Sequence, residues 1–369
     1  MDILTKFRIR IGVASQTSNF WLLITENNLS RQAHLIGSIG LESAEVSMTK
    51  VAEILGPCCS SIPDGETGER GYWIRWQQST FDNSQDLQVE IVNQKLPGFK
   101  DAVQRPFYKI KPGCNPNDID LGELGYAKEA LSSYMIFQRL VADGKIATGT
   151  RFQVCLPTPM ALICGFIVPE DQLNVEPAIE KAMIQEIAQV QTNIPADKLA
   201  LQWDVCFEVV GSDGGPKLPY NDPISGTTER LARLFKLIDD SVDLIIHFCY
   251  GDPGHKHIVD PKDLETSVKF ANAISAVSPR RIDAIHMPVM RNRTDETYFK
   301  PLKYLDIPND TKLILGLVHF TDGVEGGKAR MATADKFVDD YDIATECGFG
   351  RRDPDTIFGL LQIHRDLCS

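Results

Sequence analysis

Short runs of apolar and β-branched residues recur along this chain, separated by longer stretches with helical spacing. The runs predict strands over residues 34–39, 60–64, 151–157, 199–209, 244–250, 284–289, 312–320 and 343–348. Apolar positions three and four apart predict helices over 42–55, 121–141, 175–190, 227–237, 264–277, 332–341 and 354–367, with a short one at 297–304. Parallel neighbours need a crossover, and a helix after each strand supplies it. Leu244-Ile245-Ile246 is apolar throughout, as expected of a strand covered on both faces. No Gly-x-Gly-x-x-Gly turn follows the first strand, which weakens an open dinucleotide-type sheet. The expected fold is therefore α/β, an eight-stranded (β/α)₈ barrel occupying residues 33–369 as a single domain.

Two segments break the pattern. Residues 1–32 lack a steady period and read as an N-terminal extension of uncertain order. Residues 71–120 form a long insertion after the second strand, rich in aromatics and prolines. In a barrel it lies on the catalytic face, as a lid or a pocket wall. Its Trp73 and Trp76, three apart, read as lid packing.

Composition narrows the partners. The 369 residues are 43% hydrophobic with a mean hydropathy of -0.15, values of a globular chain with a sizeable core. The formal charge of -12 comes without a basic, aromatic-interleaved tract, so nucleic acid is not an expected partner. No apolar run approaches the ~20 residues that span a bilayer, and the Phe20–Ile24 run is too short for a signal-peptide core, with no clear cleavage site after it. Nine scattered cysteines, several inside strand-like runs, suggest reduced thiols and a cytoplasmic location. The expected partner is a small-molecule substrate; identical copies could also associate.

Active sites of such barrels gather at the C-terminal ends of the strands. Asp64, Glu66, Glu69 and Arg70 follow the second strand here, and Asp204 and Glu208 lie on the fourth. His247, Cys249, Tyr250, Asp252, His255 and His257 lie on or after the fifth. His286 and Arg291 belong to the sixth, His319 and Asp322 to the seventh, Cys347 and Arg351 to the eighth. In His247-Phe248-Cys249 the two outer side chains point the same way, as residues two apart on a strand do. With a cysteine from another strand they make a plausible zinc shell; a hydrogen-bonded core histidine beside a buried cysteine is the plainer alternative. The Pro63–Arg70 cluster is either a ligand loop or a turn leading into a helix N-terminus. Glu325-Gly326-Gly327, after the seventh strand, reads as a mobile loop or as an anion site at the start of the next helix.

Three motifs carry a family resemblance: Gly37-Ser38-Ile39, His247-Phe248-Cys249-Tyr250 and Cys347-Gly348-Phe349-Gly350-Arg351. From His34 onward the chain resembles the catalytic, C-terminal half of cobalamin-independent methionine synthase. The resemblance implies a (β/α)₈ barrel shared with uroporphyrinogen decarboxylase. It also implies a zinc held by His-x-Cys, a Glu and a later Cys, which activates a thiol to accept a methyl group from a folate. His247, Cys249 and Cys347 match three ligands in order. The Glu position falls on Pro288, leaving His286, or else His255 or His257, to stand in. The family's Asp-Glu-Pro segment is here Asp204-Val205-Cys206, which keeps one carboxylate of two.

The chain also lacks the N-terminal half that helps full-length synthases hold the folate tail. The expectation is thus a zinc-dependent methyl- or alkyl-transferase acting on a thiol, on a substrate smaller than a polyglutamyl folate. Asp204, Glu208 and His319 are the expected catalytic groups, with Ser38, Asp64, Glu66, Arg70, Tyr250 and Arg291 around the substrate. The alternative is a metal-independent lyase or decarboxylase of the same superfamily, worked by acid and base side chains. A binding protein on a retired barrel would have little reason to bury so many polar groups.

Overall fold

A computed structural model describes residues 31–95, 100–253 and 256–368. Residues 1–30 of the expected extension, and His255, lie outside the described residues. Seven strands make one parallel, curled sheet: β1 (Ser61–Pro63), β4 (Arg151–Pro157), β5 (Leu199–Val205), β6 (Asp243–Phe248), β7 (Ala284–Pro288), β8 (Lys312–Val318) and β9 (Asp342–Thr345), hydrogen-bonded in that order. Eleven described α-helices accompany them: α1 (Ala44–Leu55), α2 (Gln78–Asp82), α3 (Tyr126–Ala142), α4 (Pro159–Phe166), α5 (Gln172–Asn193), α6 (Phe207–Ser212), α7 (Pro223–Phe235), α8 (Glu265–Val277), α9 (Glu296–Phe299), α10 (Gly323–Ala334) and α11 (Ile357–Leu367).

The expected first strand, residues 34–39, forms no ladder. It lies between the two edge strands and touches both. Ala33 bridges Ile343 of β9, while the Ala33 and Ile39 amides donate to the Cys58 and Gly65 carbonyls flanking β1. Interior side chains supply what a ladder would have supplied. Gln153 Nε2 donates to the Leu35 carbonyl at 2.8 Å, and Cys155 Sγ donates to the Ile36 carbonyl at 3.2 Å, where Gln202 Nε2 also donates. Buried backbone polar groups must be paired, and side chains can pair them as well as a strand can.

Helices surround the curled sheet. Packing runs from α1 through α3, α5, α4, α6, α7 and α8, then by a 3₁₀ turn at Lys300–Tyr304 to α9, α10, α11 and back to α1. An open sheet would split its helices between two faces; here they form one ring. Inside, Ile36, Ala200, Ile245, Ala284, Ile314 and Ala344 form a small apolar layer of their own, one from segment 33–39 and one from each of five strands. Above it toward the strand ends the interior turns polar.

Two predicted boundaries are corrected. The strand expected over 199–209 ends at Val205, and Glu208 sits on α6. The helix expected over 332–341 is α10, displaced towards the N-terminus, so Gly326 and Gly327 are helical and not a loop. A Cβ on Gly327 would come 2.5 Å from Leu367, so the glycine permits close packing against α11. The insertion is built rather than irregular. It comprises a kinked 3₁₀ stretch Gly68–Gln77, helix α2, and an antiparallel hairpin of β2 (Leu87–Gln94) with β3 (Val103–Ile110). Helix α4, apolar nearly throughout and capped by Thr158 and Pro159, had no periodic signal to betray it.

Candidate metal centre

Strand register sets the site. His247 on β6 pairs with Asp204 on β5 and with His286 on β7, so one interior level carries a carboxylate and two imidazoles side by side. Cys249 lies just past β6, its amide donating to the Val205 carbonyl at 3.1 Å. Cys347 lies two residues past β9, its carbonyl accepting from Thr345 Oγ1 at 2.8 Å. The two sulfurs are 3.7 Å apart, and they and a His247 ring nitrogen all lie within 4.8 Å of one another. No other His, Cys, Asp or Glu among the described residues joins that group.

Hydrogen-bond direction decides which His247 nitrogen is free. His286 Nε2 faces the Thr345 carbonyl at 3.0 Å, which can only accept, so this nitrogen carries the proton. Burial pushes the His286 pKa well below its ordinary range, so the ring is neutral and its Nδ1 is an acceptor. His247 Nδ1, 2.8 Å away, must then be the donor. His247 is itself held down to about 3 by burial and then by His34, which leaves Nε2 a bare lone pair. That atom is buried and has no hydrogen-bond partner.

Zinc fits these residues. Two sulfurs each ~2.3 Å from a tetrahedral zinc are about 3.8 Å apart, close to the spacing here. The thiols are otherwise an uneasy pair: Cys249 is pushed well above the ordinary thiol range by the Cys206 thiol, and Cys347 by the Cys249 thiol and then by burial. Two neighbouring thiolates become tenable with a cation between them. His286 is not beside the sulfurs as a fourth ligand. It stands behind His247 with both nitrogens engaged, in a space kept open by Gly316, whose Cβ would lie 3.1 Å from His286 Nε2.

The centre opens into a cavity of about 910 Å³ at the strand ends. Ser38, Glu66, Asp204 and Arg351 line it, and so do Trp73 and Arg105 from the insertion. Ser38 is clamped beneath the loop that follows β9. Its Oγ accepts from the Gly350 amide at 3.2 Å, and a Cβ on Gly348 would meet that oxygen at 2.4 Å. Asp204 receives Gln202 Nε2 at 2.9 Å on one oxygen and Trp73 Nε1 at 3.2 Å on the other. Burial raises Asp204 to about 7. Burial, then the charges of Asp204 and Asp64, raise Glu66 to about 8. Among the described residues, only Glu66 (φ 44°) and Trp73 (φ 58°) combine a side chain with left-handed backbone. Such conformations cost on the order of 1–3 kcal/mol each and gather at functional sites.

Other expected site residues stand apart from the cavity. Asp64 and Arg70 hold each other at 2.7 Å, and Asp64 also accepts from Ser133 and from the Glu66 amide, so the pair shapes the loop that presents Glu66. Glu208 turns away to Thr158 Oγ1 at 2.7 Å. Tyr250 donates to Asp213 at 2.6 Å. His319 donates through Nε2 to the Val289 carbonyl at 2.8 Å, and His257 contacts Glu346 at 3.1 Å. Arg291 is exposed. Reading from sequence missed the polar role of Trp73 and the contact of Cys206 with the centre. Both look like packing residues until the fold brings them to Asp204 and Cys249.

No family model and no curated protein matches this chain in sequence. Solved structures do match in fold. A B12-independent methionine synthase from Shewanella sp. W3-18-1, in complex with selenomethionine, superposes with a TM-score of 0.58 at 14% identity, over 88% of this chain and 85% of that one. A putative vitamin-B12-independent methionine synthase from Listeria monocytogenes gives 0.52 at 16% identity, over 88% and 86%. At these identities the likeness is one of fold.

Proposed function

We propose that the chain is a zinc-dependent transferase that moves a methyl or other small alkyl group onto a thiol. The observation that carries this is the gathering of a His247 ring nitrogen with the Cys249 and Cys347 sulfurs where they line the cavity, on a histidine whose Nε2 is buried without a partner. Three protein ligands and no described fourth are the donor set of a catalytic rather than a structural site. Zinc held there would lower the pKa of a substrate thiol bound to it, making a nucleophile at neutral pH.

The chain's own residues do the rest. His247, Cys249 and Cys347 hold the metal, with His286 fixing the ring of the first. Glu66 and Asp204, two acids lining one cavity, favour a positively charged group on the acceptor, since such a group offsets the burial that raises both and the charge of Asp204 that adds to it at Glu66. An amino thiol meets that demand, in keeping with selenomethionine in the Shewanella protein. As the alkyl carbon passes to sulfur, a new S–C bond forms, the bond to the donor breaks with its electron pair, and the thiol proton leaves.

Zinc analysis together with alkylation assays on thiol acceptors tests the proposal. Wild type is expected to hold about one zinc per chain and to lose it, with activity, in Cys249→Ser and in Cys347→Ser. A folded wild type that holds no added zinc, or keeps full activity against a strong chelator, would favour the second reading. That reading is a metal-free lyase in which Asp204, raised to about 7, is the base.

A further inference from the structure

The two tryptophans that open the insertion do different work. Trp76 packs edge-on against Tyr126, ring centres 4.9 Å apart, and closes against Gly125. Trp73, three residues earlier, lines the cavity as Trp76 does, but from a left-handed backbone. The indole stacks over Phe207 at 6.0 Å, on the helix that follows Asp204, and its Nε1–H reaches Asp204 Oδ2. Simple packing would not require a bulky side chain in this conformation. Both left-handed side-chain residues line the cavity that Asp204 enters, Glu66 as a second carboxylate and Trp73 as a ring with a single donor.

We propose that Trp73 is a specificity-determining residue: its N–H holds Asp204 in place, and its ring forms the wall against which a substrate ammonium seats. The inference rests on the alkyl-transfer reading, because it concerns the acceptor's positive group. Two carboxylates alone would take any cation, including a hydrated metal ion or a guanidinium. An indole face beside them favours an organic cation over a hydrated metal ion: an alkylammonium is attracted by the ring's negative face and hydrogen-bonded to the acids. The chain thereby selects acceptors with an amino group near the sulfur and discriminates against the same thiol without one.

Calorimetry with a matched pair of thioethers tests this. L-Methionine and 4-(methylsulfanyl)butanoate differ only in the ammonium group and require no thiol ionisation. Wild type is expected to bind the first at least roughly tenfold more tightly. Trp73→Phe keeps a ring but loses the N–H, and should lose part of that preference. Trp73→Leu should lose more, about two- to thirty-fold for the ring contact alone, with binding of the butanoate little changed. Equal weakening of both ligands, an unchanged preference in Trp73→Leu, or no preference in wild type would overturn the proposal. Zinc content of the same samples separates the two ideas. Zinc bound with no tryptophan-dependent preference sinks only the Trp73 role, whereas a tryptophan-dependent preference without zinc sinks the transferase reading.

Discussion

Two histidines in this protein have the same defect and different surroundings. His364 on α11 donates through Nδ1 to the Leu360 carbonyl at 2.8 Å, and its Nε2 is buried without a partner. His247 on β6 also has one nitrogen engaged and Nε2 orphaned. Around His364 the nearest ring is Phe349, 6.3 Å centre to centre, and no ligand group among the described residues includes it. Around His247 two sulfurs converge. A buried lone pair alone is thus a tolerated cost of packing; it marks a site only where other donors share its space and a cavity opens on them.

Substitutions can break that comparison. His247→Ala is expected to abolish stoichiometric zinc binding, while His364→Ala leaves it intact, as elemental analysis and competition with a chromogenic chelator would show. Between them falls His286→Leu, which removes no ligand but frees His247 to take the other tautomer. Its zinc affinity should drop about 10–100-fold, the usual consequence of losing a partner behind a metal ligand. Zinc loss in His364→Ala equal to that in His247→Ala would erase the distinction.

The same contrast exists between carboxylates, with a smaller effect. Asp204 faces the cavity; Glu208, four residues on, faces the core, where burial raises it to about 7. Unfolded glutamate ionises near pH ~4.3. A folded value above that means the unfolded state sheds its proton first, so stability falls as pH rises from about 4.3 to 7 and stays low beyond. Glu208→Gln should therefore stabilise the fold by about 1–3 kcal/mol at pH 8 and not at pH 4. Denaturant titration at the two pH values measures this, and an equal effect at both would contradict it.

Much of this was legible in the sequence because it rests on period. Seven strands announced themselves as apolar runs such as Leu244-Ile245-Ile246, and the two-residue step placed His247 and Cys249 together before any coordinates. Segment 33–39 looked like a strand because its residues are those of one. That its carbonyls bond to Gln153 and Gln202 is a fact about distant side chains, invisible locally. His286 was recognised as belonging to the centre but not as standing behind it, since only the Thr345 carbonyl reveals which way its protons point. Glycines Gly326 and Gly327 hid a helix, because small residues chosen for close packing resemble a turn when neighbours are unknown.

X-ray absorption at the zinc edge tests the central claim most directly, on zinc-loaded protein before and after adding a simple thiol such as 2-mercaptoethanol. An open site built from His247, Cys249 and Cys347 predicts a shell of two sulfurs, one imidazole nitrogen and one light exchangeable atom, gaining a third sulfur when the thiol is present. A shell already closed by four protein ligands and unchanged by thiol, or a zinc without two sulfur neighbours, would contradict it.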